Sequence, residues 1–148
     1  MARSLGTLSS FFREVGDMVE KGAVAKVRAG SQTILRDLVD NTPVDTSQAL
    51  SNWIVSTGVP SNVQRNAISP GKKGSTATGS RLATIAIGNA DLARQLRRST
   101  DVVFITNNED YIVELDEGYS PQQPPGFVDR AAALGAEAIR TERLLLRR

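Results

Sequence analysis

The sequence predicts an α+β domain in which a long N-terminal helix and shorter helices pack on a small antiparallel sheet. Three observations predict it. Apolar residues recur every three or four positions over residues 8–40, short β-branched runs occupy 53–57 and 102–107, and an alanine-rich helical pattern begins at residue 127. A chain of 148 residues fits one domain, so we expect residues 1–148 to form a single unit.

The first element is a helix over about residues 8–40. Its stripe consists of apolar or small residues at helical spacing: Leu8, Phe12, Val15, Val19, Ala23, Val27, Gly30, Ile34 and Leu38. The helix would be about 50 Å long. Because this exceeds the diameter of a compact domain of this size, we expect part of it to project and pack on another subunit. Gly22 and Gly30 are two points at which it can break.

The segment "NTPVDTSQALSNW", residues 41–53, contains the only tryptophan of the chain. Pro43 ends the first helix, because a residue before proline is pushed out of helical geometry. We expect Asp45 or Thr46 to cap a short turn and Trp53 to open the first strand. Asp45 has no base or nucleophile near it in the sequence. We therefore interpret this segment as a joint of the fold and not as an active site.

The composition of residues 59–81 predicts a long mobile loop that carries Lys72 and Lys73. Either a plain long loop or an arm that becomes ordered only on binding explains it. The run "PGKKGST" lacks the spacing of a phosphate-binding loop. A second helix is predicted over 82–98, with an inner side formed by Leu82, Ile85, Leu92 and Leu96.

The second strand, at 102–107, is followed by a short helix at 109–118 that Gly118 closes and by a rigid turn at 120–126. Whether the sheet has a further strand stays open. A C-terminal helix is predicted over 127–148. The residues expected to face the body are Phe127, Ala131, Leu134, Ala138 and Leu145.

The composition argues against most enzyme classes. The chain has no histidine and no cysteine, which removes the usual general base, the thiolate nucleophile and the commonest zinc ligands. We predict no enzymatic activity and no cofactor. No apolar run reaches the roughly 20 residues of a membrane helix, and the N-terminus lacks the apolar core of a secretory signal. We therefore expect a soluble protein with no membrane partner.

Charge is segregated along the chain. Residues 61–100 carry seven basic and one acidic side chain, and residues 101–120 carry six acidic and no basic ones. Complementary contacts, within one subunit or between neighbours, and separate solvated faces both explain this pattern. The acidic residues Glu109, Asp110, Glu114, Asp116 and Glu117 offer oxygen ligands for Mg²⁺ or Ca²⁺. They lack the spacing of a known metal loop, so we predict no metal.

The basic residues between 65 and 98 allow contact with phosphates, which keeps a nucleic-acid-binding protein as an alternative function. No aromatic residues alternate with them for base stacking.

Three pieces in this order carry a resemblance: a long N-terminal helix that ends in "TPVDTSQALSNW" at 42–53, the run "VVFITNNEDYIVELDEGYSPQQPPGFV" at 102–128, and a short C-terminal helix. Together they resemble the small neck and tail-completion proteins of tailed bacteriophages, described as head–tail connector or minor tail protein Z-like. Ser47 stands where that family usually has glycine, Gln48 where it has arginine, and Phe127 where it commonly has methionine. Asp116 is an additional acid beside Glu117 of the family's turn.

The resemblance implies a structural virion protein of the phage neck, which forms a ring and joins the capsid connector to the tail tube. A tail terminator ring that caps the tail tube is the alternative from the same assembly. The implied partners are copies of the chain in a six-fold or twelve-fold ring and other neck and tail proteins. The resemblance also allows non-specific contact with DNA that passes through the lumen. The implied location is the virion, with assembly in the host cytoplasm.

Within this interpretation each candidate residue has an expected role. The residues that fix the fold joint are Pro43, Asp45, Trp53, Tyr111 and Gly118. The basic group of one subunit, Arg94, Arg97 and Arg98, is expected to face the acidic group of its neighbour, Glu114, Asp116 and Glu117. Lys72 and Lys73 are expected on the mobile loop.

Overall fold

A computed structural model of the chain describes residues 3–143. Its elements in chain order are α1 (Arg3–Asn41), α2 (Gln48–Ser51), β1 (Ile54–Thr57), α3 (Ala77–Gln95), β2 (Val103–Thr106), α4 (Ile112–Asp116) and α5 (Phe127–Thr141). β1 pairs with β2 in an antiparallel sheet, with Ile54 opposite Thr106 and Thr57 opposite Val103. The predicted α+β class, the long first helix and the small antiparallel sheet are confirmed.

α1 is one continuous helix of 39 residues, without a break at Gly22 or Gly30. At 1.5 Å per residue it is about 58 Å long. It ends before Pro43, as predicted, and Thr42 makes its last contacts. The amide of Thr42 donates to the carbonyl oxygen of Leu38 at 3.0 Å, and its hydroxyl donates to the same oxygen at 2.6 Å.

The core lies where the C-terminal half of α1 meets the other elements. It is built from buried side chains of α1, the joint, β1, α3 and α5: Leu35, Leu38, Val39, Val44, Leu50, Trp53, Val55, Leu92, Phe127 and Ala131. Trp53 and Phe127 are its only aromatic members among the described residues. Aliphatic packing therefore supplies most of the apolar burial that stabilises the domain.

Three helical glycines let the helices approach closely. α1 and α5 cross where Gly30 faces Gly135, and a Cβ atom on either glycine would lie 3.0 Å from the carbonyl oxygen of the other. Gly88 of α3 packs against Leu35 of α1 and Val55 of β1. At these crossings the absence of a side chain is what permits the observed helix separation.

The inner side of α3 matches the prediction at Ile85, Leu92 and Leu96 but not at Leu82. The helix begins at Ala77, five residues earlier than expected, so residues 77–81 belong to α3 and not to the loop. Its buried face consists of Ser80, Thr84, Gly88 and Leu92, which recur every four residues. Leu82 was expected inside but is 67% exposed. Small residues occupy the inner side because α3 packs closely against α1 and β1.

α5 shows a similar correction. Phe127 and Ala131 are buried, as predicted, but Leu134 is exposed and Gly135 faces α1 in its place. The helix ends at Thr141. The predicted continuation to residue 148 includes Leu145, which lies outside the described residues.

Two glycines on α3 give a matched test of the close packing. We expect Gly88→Ala to lower the free energy of unfolding by about 1–3 kcal/mol, because the added methyl group would overpack the contact with Leu35 and Val55. Gly79→Ala meets open space on the same helix and should leave stability unchanged or raise it by up to about 1 kcal/mol. Urea unfolding measures both, and equal effects would contradict the close approach at Gly88.

Candidate interaction site

The joint at residues 42–53 is held by the indole of Trp53. Its Nε1 donates to the hydroxyl oxygen of Thr42 at 2.8 Å, and that hydroxyl donates to Leu38 in α1. Both Thr42 and Trp53 are buried. The bond fixes the direction in which the chain leaves α1 and enters β1, so Trp53 and Pro43 act together as a structural anchor.

A buried carboxylate lies beside the joint. Glu109 follows β2, and its Oε1 accepts hydrogen bonds from Nε2 of Gln48 and Nδ2 of Asn52, both at 2.7 Å. Burying a carboxylate is costly unless donors compensate it, and here two amides do so. Asn107, at the end of β2, adds a bond from its Nδ2 to the carbonyl oxygen of Ala49 at 2.8 Å. The joint and the end of β2 are thus tied together by side chains.

Asn52 and Gln48 also hold the backbone of Arg65 in the long loop. Oδ1 of Asn52 accepts from the Arg65 amide at 2.7 Å. Nδ2 of Asn52 and Nε2 of Gln48 donate to the Arg65 carbonyl oxygen at 2.8 and 2.7 Å. We call Gln48, Asn52, Arg65 and Glu109 the amide–carboxylate cluster. Residue types alone did not single out Asn52 or Arg65, because the contacts join positions far apart in sequence.

The loop has further contacts with the joint. The amide of Lys73 donates to Oδ1 of Asp45 at 2.8 Å, and the amide of Ile68 donates to the hydroxyl of Ser51 at 3.0 Å. Asp45 was expected to cap α2, and this is wrong: neither Asp45 nor Thr46 does so, and Ser47 occupies the cap position without a side-chain cap bond. The side chains of Lys72 and Lys73 are exposed. The predicted mobility of this loop stays a prediction.

The segment after α4 is bound to the joint. Gln122 bonds both the amide and the carbonyl oxygen of Val44, at 3.0 and 3.3 Å. Gly118 has φ +88°, and a Cβ atom there would lie 3.0 Å from the ring of Pro125.

Tyr111 lines a small cavity of about 120 Å³ with Pro43 and Asp45. Tyr111 is 40% exposed, and the partial desolvation of its hydroxyl, together with the smaller effect of the Glu109 carboxylate, raises the pKa of Tyr111.

Asp116 has a role within the chain. Its Oδ1 accepts from the amide of Val128 at 2.9 Å, and its carbonyl oxygen accepts from the amide of Gly126 at 2.7 Å. A carboxylate near the N-terminus of α5 also interacts favourably with the helix dipole. Glu114 and Glu117 are exposed and stay available to a neighbour.

The basic group lies around the end of α3. Arg94 pairs with Asp91 at 2.6 Å, and the carboxylate of Asp101 accepts the backbone amides of Arg97 and Arg98, both at 2.8 Å. These two bonds lower the pKa of Asp101. The side chains of Arg97 and Arg98 are exposed. No ion pair within residues 3–143 joins the basic group to Glu114, Asp116 or Glu117, so the structure does not bring the two groups together in one chain.

Glu20 ties α1 to the segment that follows α3. Its carboxylate accepts from the hydroxyl and the amide of Ser99, at 2.6 and 2.7 Å, and these bonds lower the pKa of Glu20. Before Glu20, residues 6–19 are exposed apart from the half-buried Val15 and Met18. We call residues 6–19 the α1 extension.

The α1 extension displays apolar side chains at helical spacing. Leu8, Phe11, Phe12 and Val19 are 49%, 57%, 63% and 54% exposed. The two phenyl rings contact each other edge to face, with centroids 5.9 Å apart. Contiguous exposed apolar surface of this kind marks a site of interaction. The projection of α1 that its length predicted is therefore present within the described residues.

The acidic residues do not assemble a metal site. Within residues 3–143, no group of three or more His, Cys, Asp or Glu side chains is placed to hold a metal ion. Glu109 is engaged by amides, and Asp110, Glu114 and Glu117 lie at the surface.

Comparisons with known proteins identify no function for these surfaces. No protein-family model, no curated protein and no solved structure matches the chain. In the part of the chain that the structure describes, no helix is both long and apolar enough to cross a membrane.

The amide–carboxylate cluster predicts a specific loss of stability. We expect Glu109→Ala to lower the free energy of unfolding by about 1–3 kcal/mol, because it removes the oxygen acceptor that the amides of Gln48 and Asn52 share. Glu109→Gln keeps an oxygen acceptor and should cost less. Asp110→Ala, one residue along on the exposed surface, should change stability by less than about 0.5 kcal/mol. Urea unfolding of the three variants measures the difference, and indistinguishable curves would contradict the cluster.

Ser47 provides a second test, because its φ of +67° lies in the left-handed region. Its hydroxyl contacts that of Thr76 at 3.0 Å. Ser47→Ala loses this bond and keeps the backbone strain, so we expect a loss of about 1–2 kcal/mol. Ser47→Gly loses the bond but relieves strain of similar size, and its stability should stay within about 1 kcal/mol of the parent. An alanine variant more stable than the glycine variant in thermal unfolding would refute this account.

Proposed function

We propose that the chain is a non-enzymatic structural protein of a tailed-phage neck, a ring-forming tail-completion or head–tail adaptor that joins the capsid connector to the tail tube. The ordered motif series of the sequence supports the virion assignment. The α1 extension supports self-assembly, and it is the single structural observation that carries this part of the proposal.

The α1 extension favours assembly for an energetic reason. A helix that exposes two phenylalanines, a leucine and a valine on one domain leaves apolar area in contact with water. Burying that area on another molecule is favourable by roughly 25 cal/mol per Å². Assembly would complete the burial that this small, aromatic-poor core leaves unfinished.

The charged surfaces favour a head-to-tail contact. Arg97 and Arg98 are exposed after α3, while Glu114 and Glu117 are exposed on and just after α4. A ring is built from two different surfaces that meet around the circle. Arg97, Arg98, Glu114 and Glu117 form no ion pair among residues 3–143, so they are suited to pair across such a contact.

The tail terminator is the alternative from the same assembly, and it would use the same surfaces. The two roles differ in partner, because an adaptor binds the capsid connector and a terminator binds the end of a tail tube. Pull-down of each purified partner with the chain separates them.

The test of the ring is native mass spectrometry at low and high salt. We predict a closed oligomer whose subunits dissociate as salt rises, because exposed charge pairs are screened. Arg97→Glu should weaken subunit association about fivefold, and adding Glu117→Arg should restore part of the loss.

Arg36→Glu is the matched control, since Arg36 is exposed on α1 and belongs to neither charged group. A wild-type monomer at every salt and protein concentration would contradict the self-assembling ring. A ring that Arg97→Glu and Arg36→Glu weaken equally would contradict the charge pairing alone.

A further inference from the structure

An apolar cleft opens on the surface between α1, β2 and α5. Its volume is about 260 Å³. It is lined mainly by apolar side chains from these elements and from the joint: Ile34, Trp53, Val103, Ile105, Val128 and Ala132. These residues belong to the body of the domain, at the opposite end of α1 from the α1 extension.

The polar atoms of the cleft are already satisfied. The hydroxyl of Ser31, at its edge, donates to the carbonyl oxygen of Val27 at 2.8 Å. The indole N–H of Trp53 donates to Thr42. Because both donors already have acceptors, a polar occupant would gain no hydrogen bond from them. The cleft therefore favours an apolar occupant.

The cleft has room for an aromatic side chain. A dry apolar cavity of about 150 Å³ accommodates a benzene molecule, so a cleft of 260 Å³ holds one phenyl ring with space for part of a second side chain. Phe11 and Phe12 are exposed phenyl groups on the same chain, adjacent to each other and flanked by Leu8.

A chain cannot fill its own cleft with its own α1 extension. Phe12 and Ile34 lie on one unbroken helix, 22 positions apart, which corresponds to about 33 Å. Gly16, Gly22 and Gly30 all lie within the helix and do not interrupt it. The occupant must therefore come from another molecule.

We propose that the α1 extension of one copy docks onto the apolar cleft of a second copy, with one ring of the Phe11–Phe12 pair inside the cleft and the other against its edge. This inference rests on the proposed self-assembly and identifies the surfaces that carry it. Because the extension and the cleft are different surfaces of one chain, the contact is heterologous, and each copy offers one extension and one cleft. Successive copies then form a ring if the rotation closes.

The available area fits such a contact. A buried phenylalanine covers about 150–250 Å², so each exposed ring offers on the order of 100 Å². The four exposed side chains of the extension together supply on the order of 350 Å² of apolar surface. A standard interface buries about 800 Å² on each partner, of which somewhat more than half is apolar. The extension thus provides most of the apolar part, and the neighbouring charged residues can supply the polar rim.

Two variants that each remove one half of the contact test the proposal. Phe11→Ser with Phe12→Ser removes the docking rings and keeps the cleft. Ala132→Arg blocks the cleft and keeps the extension, and Ala132 is exposed on α5, so the change is compatible with folding. Ala133→Arg, at the next exposed position on α5 and outside the cleft lining, is the matched control.

Sedimentation velocity on the full chain measures the outcome. We expect wild type and Ala133→Arg to form oligomers larger than a dimer, and each of the two cleft or extension variants alone to be monomeric. An equimolar mixture of those two variants should give a 1:1 heterodimer and nothing larger, because only one intact extension and one intact cleft remain. Circular dichroism of each variant establishes that it is folded.

The contrary outcomes are distinct. If Ala132→Arg assembles like wild type while the phenylalanine variant does not, the extensions pair with one another, and the cleft docking is overturned while self-assembly stands. If all variants assemble normally, the docking is likewise overturned and the ring remains. A wild-type monomer overturns both proposals.

Discussion

The buried carboxylate of Glu109 is the constraint on which the arrangement around the joint depends. Its two amide donors, Gln48 and Asn52, lie in and just after the short helix α2, and the same amides hold the backbone of Arg65. A charge at this depth is stable only while its donors stay in place. Three separate segments therefore have to be positioned together: the joint with its short helix α2, the long loop and the end of β2. The indole bond from Trp53 to Thr42 joins this network to the end of α1.

Close helix packing supports that network from the other side. Gly30, Gly88 and Gly135 bring α1, α3 and α5 near one another, so a core with few aromatic residues still excludes water. Leu8, Phe11, Phe12 and Val19 on the α1 extension nevertheless stay exposed. Apolar surface that a small domain cannot cover by itself favours association, since binding to the folded state stabilises it by mass action.

Periodicity predicted the fold class, the end of α1 and both strands, because these depend on local pattern and on Pro43. It placed Leu82 and Leu134 inside, and both are exposed. A hydrophobic pattern places large apolar side chains on the inner face of a helix. The inner faces of α3 and α5 instead carry small residues such as Ser80, Gly88 and Gly135, because these helices pack closely against their neighbours. The burial of Glu109 could not be predicted from the sequence either, because its donors Gln48 and Asn52 lie about sixty positions away and only the folded chain brings them together. The bacteriophage neck assignment rests on motifs and stays a proposal.

The central claim is that residues 6–19 become covered by another copy of the chain. Hydrogen–deuterium exchange at increasing protein concentration tests it most directly, with the buried amides of Leu35 and Leu92 as internal references. The account predicts that amides of residues 6–19 gain protection over the same concentration range in which the mass rises, while the references stay unchanged. Exchange of residues 6–19 that is fast and independent of concentration, in a sample that does assemble, would contradict it.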